Sequence, residues 1–124
     1  MASRVLVVDD DPVIQKLLKV NFEMEGYEVI LASDGVEGLD RARVERPDAV
    51  ILDIMMPGMN GLDVARTLKG EPSTASIPVL LLSAKAQEAD LRAGDDTGAD
   101  DYVTKPFDPL DLLQRVRDLI AGSP

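Results

Sequence analysis

Carboxylates cluster at two points of the sequence, each at the end of an apolar run. Asp9, Asp10 and Asp11 follow the run Val5–Val8, and Asp53 follows a later run. If the strands formed by these runs are neighbours, the side chains lie close together and repel one another. A divalent cation would neutralise them. Mg²⁺ suits such a site better than Ca²⁺, because these ligands are too few for the larger oxygen cage that Ca²⁺ takes.

A hydroxyl and an ammonium group follow two further runs. Ser83 comes after Val79–Leu82, and Lys105 comes after Tyr102–Thr104. Because ligands bind beyond the carboxyl ends of parallel strands, we expect both groups to face the carboxylates. A carboxylate nucleophile, a metal ion, an ammonium and a hydroxyl together suit the handling of a phosphoryl group.

Each of these residues, taken alone, has a simpler structural interpretation. Asp11 is typical of a helix N-cap, with Pro12 at the first helical position. Asp53 alone is as compatible with a structural role as with a functional one. Ser83 alone indicates a solvated loop hydroxyl, and Lys105 alone indicates a surface charge. Their joint position at strand ends favours the functional interpretation.

Composition narrows the class of protein. The 124 residues fit one domain, 23 acidic against 13 basic residues give a net charge of −10, and the sequence has no cysteine or histidine. These two absences exclude disulfides, zinc fingers and Cys–His or Ser–His–Asp catalysis. The acidity argues against direct binding of nucleic acid. No apolar run is long enough for a signal peptide or a membrane span, so we expect a cytoplasmic protein.

Strand-like and helix-like segments alternate along the chain. The five strand-like runs are Val5–Val8, Tyr27–Leu31, Ala49–Leu52, Val79–Leu82 and Tyr102–Thr104. Three of them are apolar throughout, which is typical of strands buried on both faces of a parallel sheet. Each connection is long enough for a right-handed crossover. We therefore predict an α/β fold, a doubly wound five-stranded parallel sheet with helices on both faces.

Helical spacing of apolar residues marks the connections. The first helix begins at Pro12 and ends at Gly26, the second stops before Pro47, and the third covers about residues 61–68. A weak fourth segment covers residues 86–96, and the last helix begins near Pro109. The residues expected to form apolar faces are Val13, Ile14, Leu17, Leu18, Phe22, Met24, Val36, Leu39, Ala42, Leu62, Ala65, Leu68, Leu112, Leu113, Val116, Leu119 and Ile120.

Four ordered motifs span nearly the whole chain. They are VVDDDP at residues 7–12, ILDIMMPGMNG at 51–61, PVLLLSA at 78–84 and GADDYVTKPF at 98–107. Together they resemble the receiver domain of bacterial two-component response regulators, and four motifs in order form a specific signature. The resemblance implies a flavodoxin-like strand order, 2-1-3-4-5. We expect a receiver domain over residues 1–121 and a short tail at 122–124.

The resemblance implies roles for the residues at the strand ends. Asp53 would accept a phosphoryl group from the phosphohistidine of a sensor kinase or phosphotransfer protein. Asp9, Asp10 and Asp53 would hold Mg²⁺ together with the backbone carbonyl of Met55. Lys105 would pair with a phosphoryl oxygen. The chain would catalyse its own phosphorylation and also its own dephosphorylation, the latter slowly. It would not turn over an external substrate.

A conformational switch is also implied. Ser83 would move towards the phosphoryl group on activation, and Tyr102 would turn inward behind it. Taken alone, Tyr102 is typical of a strand residue that packs on the last helix. The shift would change the surface of the fourth helix, fifth strand and last helix, where a downstream effector binds. The family also implies a cis peptide bond between Lys105 and Pro106, which an X–Pro linkage tolerates.

A charged set near the end of the chain resembles the dimerisation surface of winged-helix transcriptional regulators. The set consists of Asp100, Asp101, Asp111 and Arg115. A solvated charged face is an equally good interpretation. The sequence also departs from that subfamily at Leu91 and Arg92, where a basic residue usually stands one position earlier, and we expect no DNA-binding domain in it.

The position two residues after Asp53 bears on how long a phosphorylated state lasts. Met55 and Lys85 would flank the path of the water that hydrolyses an acyl phosphate. Because the apolar Met55 side chain cannot orient that water as an amide could, we expect slower self-dephosphorylation than in chemotaxis-type receivers.

Two other functions compete with this interpretation. The sequence from Asp9 to Val13 also matches the nucleophile motif of haloacid-dehalogenase-like phosphatases, in which Asp9 would be the nucleophile. The chain is short for that fold, and the motif at residues 53–61 would then have no purpose. A degenerate receiver that serves only as a binding module is the third possibility. Against it, all five positions of the expected site are intact, namely Asp9, Asp10, Asp53, Ser83 and Lys105.

Overall fold

A computed structural model describes residues 2–84 and 97–122 of the chain. Its sheet has five parallel strands in the order β2-β1-β3-β4-β5, so the predicted fold and strand order are confirmed. The strands are β1 (Arg4–Val8), β2 (Glu28–Ala32), β3 (Ala49–Asp53), β4 (Val79–Ser83) and β5 (Asp101–Thr104). The helices in the described residues are α1 (Pro12–Met24), α2 (Gly35–Glu45), α3 (Gly61–Gly70) and α4 (Pro109–Gly122).

The sheet separates two hydrophobic cores. Successive residues of a strand point to opposite faces, and the central strands β3 and β4 are buried at every position. The α2–α3 core combines helix residues with sheet residues that include Leu6, Val8, Val50, Leu52 and Leu81. The α1–α4 core lies on the other face and includes Val5, Val7, Ile51, Leu80, Leu82 and the helix residues Leu18, Phe22, Leu112 and Val116. Burial on both faces explains the uninterrupted apolar runs in the sequence.

Helix α1 begins as predicted but buries less of its apolar surface than predicted. The Asp11 side chain accepts a hydrogen bond from the backbone N–H of Val13, as an N-cap does. The chain leaves the helix through Gly26, whose φ is +89°. Leu18 and Phe22 are buried, whereas the exposed fractions of Val13, Leu17 and Met24 are 71%, 37% and 79%. The prediction was wrong for these three because α1 carries two apolar stripes, and only one can face the sheet.

Four further sequence predictions differ in outcome, and the last of them falls on residues that the structure does not describe. Val36 in α2 is exposed, whereas Leu39 and Ala42 of the same helix are buried, because Val36 lies on the solvent side of the first turn. Tyr27 precedes β2, and its ring instead packs on Phe22 at a centroid distance of 5.5 Å. The predicted apolar face of α4 packs in the α1–α4 core. The predicted helix at residues 86–96 lies outside the described residues.

The carboxyl ends of the strands meet at one edge of the sheet. Hydrogen bonds extend the ladder beyond the paired residues: Asp9 N donates to Ala32 O (3.1 Å) and Ile54 N donates to Leu82 O (2.9 Å). Lys105 N donates to Ser83 O (2.6 Å). The parallel topology therefore brings the ends of β1, β3, β4 and β5 to one place. Within residues 2–84 and 97–122, no helix is long and apolar enough to cross a membrane.

Candidate functional site

Two buried aspartates and one lysine form the centre of the site. Lys105 follows β5 and reaches across the strand ends, so that its Nζ lies 3.1 Å from Asp9 Oδ2 and 3.3 Å from Asp53 Oδ1. Asp9 is fully buried, Asp53 is 3% exposed, and Lys105 is partly exposed. The ammonium group therefore bridges the carboxylates at the ends of β1 and β3, which the sequence had indicated only by their position after strands.

The remaining oxygen of Asp9 is also engaged. Asp11 N donates to Asp9 Oδ1 at 2.9 Å, while Lys105 Nζ donates to Oδ2. Both oxygens thus have a donor, and the side chain is inaccessible to solvent. The Asp9 side chain is 0% exposed and that of Asp53 is 5% exposed, so Asp9 is the less accessible of the two aspartates to an incoming group. This geometry does not favour the phosphatase interpretation with Asp9 as nucleophile.

Asp10 completes a group of carboxylates that can hold a metal ion. Asp9, Asp10 and Asp53 each offer an oxygen, and these three oxygens all lie within 4.8 Å of one another. Asp10 is exposed, so the group opens to solvent on one side. Three oxygens at such distances, with room for water, fit a hard cation that keeps part of its hydration shell.

The environment of Asp53 shifts its titration. Burial is the main cause that raises the pKa of Asp53 to about 6, and the negative charge of Asp9 raises it further. Lys105 and a hydrogen bond from the backbone N–H of Met55 act in the opposite direction. The carboxylate is therefore destabilised by its surroundings and is stabilised by any cation that approaches it. The side chain of Met55 is 70% exposed beside it.

Lys105 is not the surface charge that its sequence context alone would indicate. Burial lowers the pKa of Lys105, but hydrogen bonds and charges from Asp9 and Asp53 outweigh burial and leave its pKa above the usual value. Its ammonium therefore stays charged between the two carboxylates. The Lys105–Pro106 peptide bond is cis, as the family resemblance implies.

Ser83 and Tyr102 lie on the neighbouring strands β4 and β5. Ser83 is 2% exposed, so the interpretation as a solvated loop hydroxyl is wrong. It ends β4 opposite Thr104, one residue beyond the pair formed by Asp53 and Leu82. Tyr102 is partly buried and packs against the α2–α3 core. The structure therefore places Tyr102 on the strand that Lys105 follows and Ser83 at the end of the neighbouring strand.

The loop after β3 is held by a glycine whose role the sequence did not reveal. A Cβ on Gly61 would lie 2.1 Å from the carbonyl oxygen of Asp53, and Gly61 N donates to Ile54 O at 3.0 Å. Asn60 caps α3 through a hydrogen bond from Asp63 N, and Gly58 has φ of +75°. The motif at residues 53–61 thus folds back on the strand that carries Asp53. In the sequence, only the glycine and asparagine residues of this motif indicate a turn.

The predicted charged set divides into two groups. Arg115 on α4 pairs with Asp101 on β5 (3.2 Å) and with Asp111 one turn earlier (3.0 Å). Asp100 lies apart from this cluster: its Oδ2 accepts from Lys69 Nζ at 2.7 Å and from Val79 N at 2.8 Å. Asp100 therefore joins the start of β5 to α3 and β4 within the chain.

Comparison with known proteins agrees with the fold and the geometry. Residues 5–117 match the family model for the response regulator receiver domain. The chain is 47% identical over 117 residues to the DNA-binding dual master transcriptional regulator RpaA of Synechocystis, covering 94% of this chain and 48% of that protein. It is 43% identical over 123 residues to the alkaline phosphatase synthesis transcriptional regulatory protein PhoP of Bacillus subtilis, covering 99% and 50%.

A solved structure gives the same result. A putative response regulator from Chloroflexus aurantiacus superposes with a TM-score of 0.92 at 35% identity, covering 98% of this chain and 99% of that one. The chain spans about half the length of the two curated relatives named above. The family match, the sheet order and the carboxylate–lysine site all lead to one conclusion: the chain belongs to the family of response regulator receiver domains.

Proposed function

We propose that Asp53 accepts a phosphoryl group from the phosphohistidine of a sensor kinase or phosphotransfer protein. One observation carries the proposal: Lys105 and the carboxylates of Asp9 and Asp10 surround an Asp53 side chain at the carboxyl edge of the sheet. Attack by an Asp53 oxygen on phosphorus forms the acyl phosphate, and the P–N bond to the donor imidazole breaks. The donor histidine must lie outside residues 1–124, because this sequence has no histidine.

Mg²⁺ is the cofactor that the carboxylates would hold. Asp9, Asp10 and Asp53 supply oxygens, and the backbone carbonyl of Met55 is proposed as a fourth protein ligand. When bound, the ion would offset the charge of the phosphoryl oxygens. The ammonium of Lys105, already between two carboxylates, would pair with a phosphoryl oxygen.

The proposed output is a change of surface. A phosphoryl group on Asp53 would draw Ser83 and Lys105 towards it, and Tyr102 would turn inward on the neighbouring strand. The surface of β5 and α4 would then bind a downstream effector or a second copy through Asp101, Asp111 and Arg115, with Asp100 as the fourth proposed residue. The proposed domain is residues 1–121, acting in the cytoplasm without membrane association or direct nucleic-acid contact. DNA binding is a property named for the relatives.

Phosphorylation by a small donor tests the proposal. With acetyl phosphate and Mg²⁺, intact-mass spectrometry should show the addition of one phosphoryl group, and EDTA should abolish it. Asp53→Asn should abolish it as well. Asp63→Asn is the matched control, because Asp63 is an exposed aspartate at the start of α3 that pairs with Arg66 at 3.2 Å. Phosphorylation of Asp53→Asn at the wild-type level would overturn the proposal.

A further inference from the structure

The Gln15 side chain joins three points beside the carboxylate site. Its Nε2 donates to Asp9 O at 2.6 Å, to Ser33 Oγ at 3.2 Å and to Ala32 O at 3.3 Å. Gln15 lies in α1, four residues after the N-cap Asp11, and its backbone N–H donates to Asp11 O. One amide thus connects the turn after β1, the end of β2 and the first turns of α1.

The shortest of these contacts fixes a peptide group that the site depends on. The carbonyl of Asp9 belongs to the planar Asp9–Asp10 peptide, so holding this oxygen also sets the direction in which the chain continues to Asp10. Among the described residues, the Asp10 carboxylate has no hydrogen-bond or ion-pair partner. Its position relative to Asp9 and Asp53 therefore depends on the Asp9–Asp10 backbone, which Gln15 helps to hold.

Ser33 and Ala32, which accept hydrogen bonds from Gln15, are themselves held by further hydrogen bonds. Ser33 N donates to Glu37 Oε1 at 2.7 Å, and Glu37 N donates to the N-cap Asp34 at 2.8 Å. The capped start of α2 therefore fixes Ser33, and Ala32 O is held by the Asp9 N–H as well. Gln15 therefore connects the turn Asp9–Asp11 to the end of β2 and the start of α2.

We propose that Gln15 is a positioning residue for the divalent-cation site. By holding the Asp9–Asp10 peptide, it keeps the Asp10 carboxylate within reach of the cation that Asp9 and Asp53 bind. This inference rests on the proposed function in one respect, namely that these three carboxylates bind Mg²⁺. Partners that orient metal ligands in this way typically change metal affinity about 10- to 100-fold when they are removed.

Mg²⁺ titration of a variant tests the inference without any measurement of phosphorylation. In Gln15→Met, which keeps the length of the side chain but removes its donors, we expect the Kd for Mg²⁺ from calorimetry to rise about tenfold. Asn21→Met is the matched control: the Asn21 amide also donates to a backbone carbonyl of α1, Leu17 O at 2.8 Å, but this partly exposed residue lies outside the site. Its Kd should equal that of the wild type.

NMR of the wild-type protein gives a second measurement that does not depend on the variant folding. The side-chain amide protons of Gln15 should exchange with water more slowly than those of Asn21, and they should shift when Mg²⁺ binds. An unchanged Kd in folded Gln15→Met, or Gln15 amide protons that exchange as fast as those of Asn21 and do not respond to Mg²⁺, would overturn the inference alone. If the wild-type protein binds no Mg²⁺, the proposed metal site fails, and this inference fails with it.

Discussion

Gly61 lies directly against the backbone of Asp53. A Cβ on Gly61 would be 2.1 Å from the carbonyl oxygen of Asp53 and 2.8 Å from the Cα of Ile54, and both of these are backbone atoms. Neither can give way without moving the end of β3. The position of the Asp53 side chain therefore depends on the absence of a side chain eight residues later.

Gly61→Ala should consequently disturb both stability and the site. We expect the free energy of unfolding to fall by about 2–3 kcal/mol, as overpacking against fixed atoms does, and Mg²⁺ binding to weaken. Denaturant unfolding and calorimetric titration measure the two effects. Gly70→Ala is the control, because nothing lies within 4 Å of a Cβ at Gly70. Equal stability of the two variants would contradict the contact.

Asp53→Asn should make the metal-free protein more stable at neutral pH. The pKa of Asp53 is raised to about 6 by burial and by Asp9, so ionisation of this side chain is disfavoured in the folded state. Its contribution to stability is therefore fully present below pH 4 and is lost as the pH rises through about 6. We expect Asp53→Asn to gain about 1–3 kcal/mol at pH 8 and little at pH 4, measured by urea unfolding in EDTA.

Mg²⁺ should reduce the stability difference between Asp53→Asn and the wild-type protein at pH 8. The ion should stabilise the wild-type protein at pH 8 and have a much smaller effect on Asp53→Asn, because the variant lacks one of the three carboxylates. A stability difference between the two proteins that is the same at pH 4 and pH 8 would contradict the raised pKa.

Lys105→Met should destabilise the protein by leaving two buried carboxylates without their counter-charge. We expect the free energy of unfolding to fall by about 3–5 kcal/mol at pH 8 in EDTA, and the loss to be smaller at pH 5, where Asp53 can take up a proton. Added Mg²⁺ should restore part of the loss. Lys19→Met removes an exposed pair with Glu23 instead and should cost less than about 1 kcal/mol. A similar loss in both variants would show that Lys105 behaves as a surface charge.

Met55→Asn should shorten the lifetime of the phosphorylated state. The Met55 side chain is 70% exposed beside Asp53, and its thioether offers the hydrolytic water only a weak acceptor. An amide in its place can orient that water, so we expect faster loss of the phosphoryl group after the small donor is removed. The decay is followed by intact-mass spectrometry over time. A lifetime equal to or longer than that of the wild type would contradict this expectation.

The sheet and the polar residues at its carboxyl edge could be predicted, because strands that are buried on both faces appear in the sequence as uninterrupted apolar runs. The runs at Val5–Val8, Ala49–Leu52 and Val79–Leu82 are apolar without interruption, and the polar residue after each run marks the edge. Asp9, Asp53 and Lys105 were therefore predicted together and are found together.

The parts that sequence reasoning missed depend on contacts between distant segments. The sequence alone indicates only that Gln15 belongs to a helix, since the fold is needed to bring Ser33 and Ala32 next to it. Likewise, Gly61 is predicted only as the start of the third helix, and its contact with the end of β3 appears only in the structure. The second apolar stripe of α1, which contains Val13 and Met24, follows the same spacing rule as the buried one. Periodicity alone cannot tell which stripe faces the sheet.

Identification of the phosphorylated residue tests the central claim most directly. The protein is phosphorylated with acetyl phosphate and Mg²⁺, the acyl phosphate is reduced with borohydride, and the modified residue is located by tandem mass spectrometry. We expect the modification on Asp53 and its absence in Asp53→Asn. Modification of Asp9 would contradict the receiver mechanism and would support a phosphatase-like nucleophile instead.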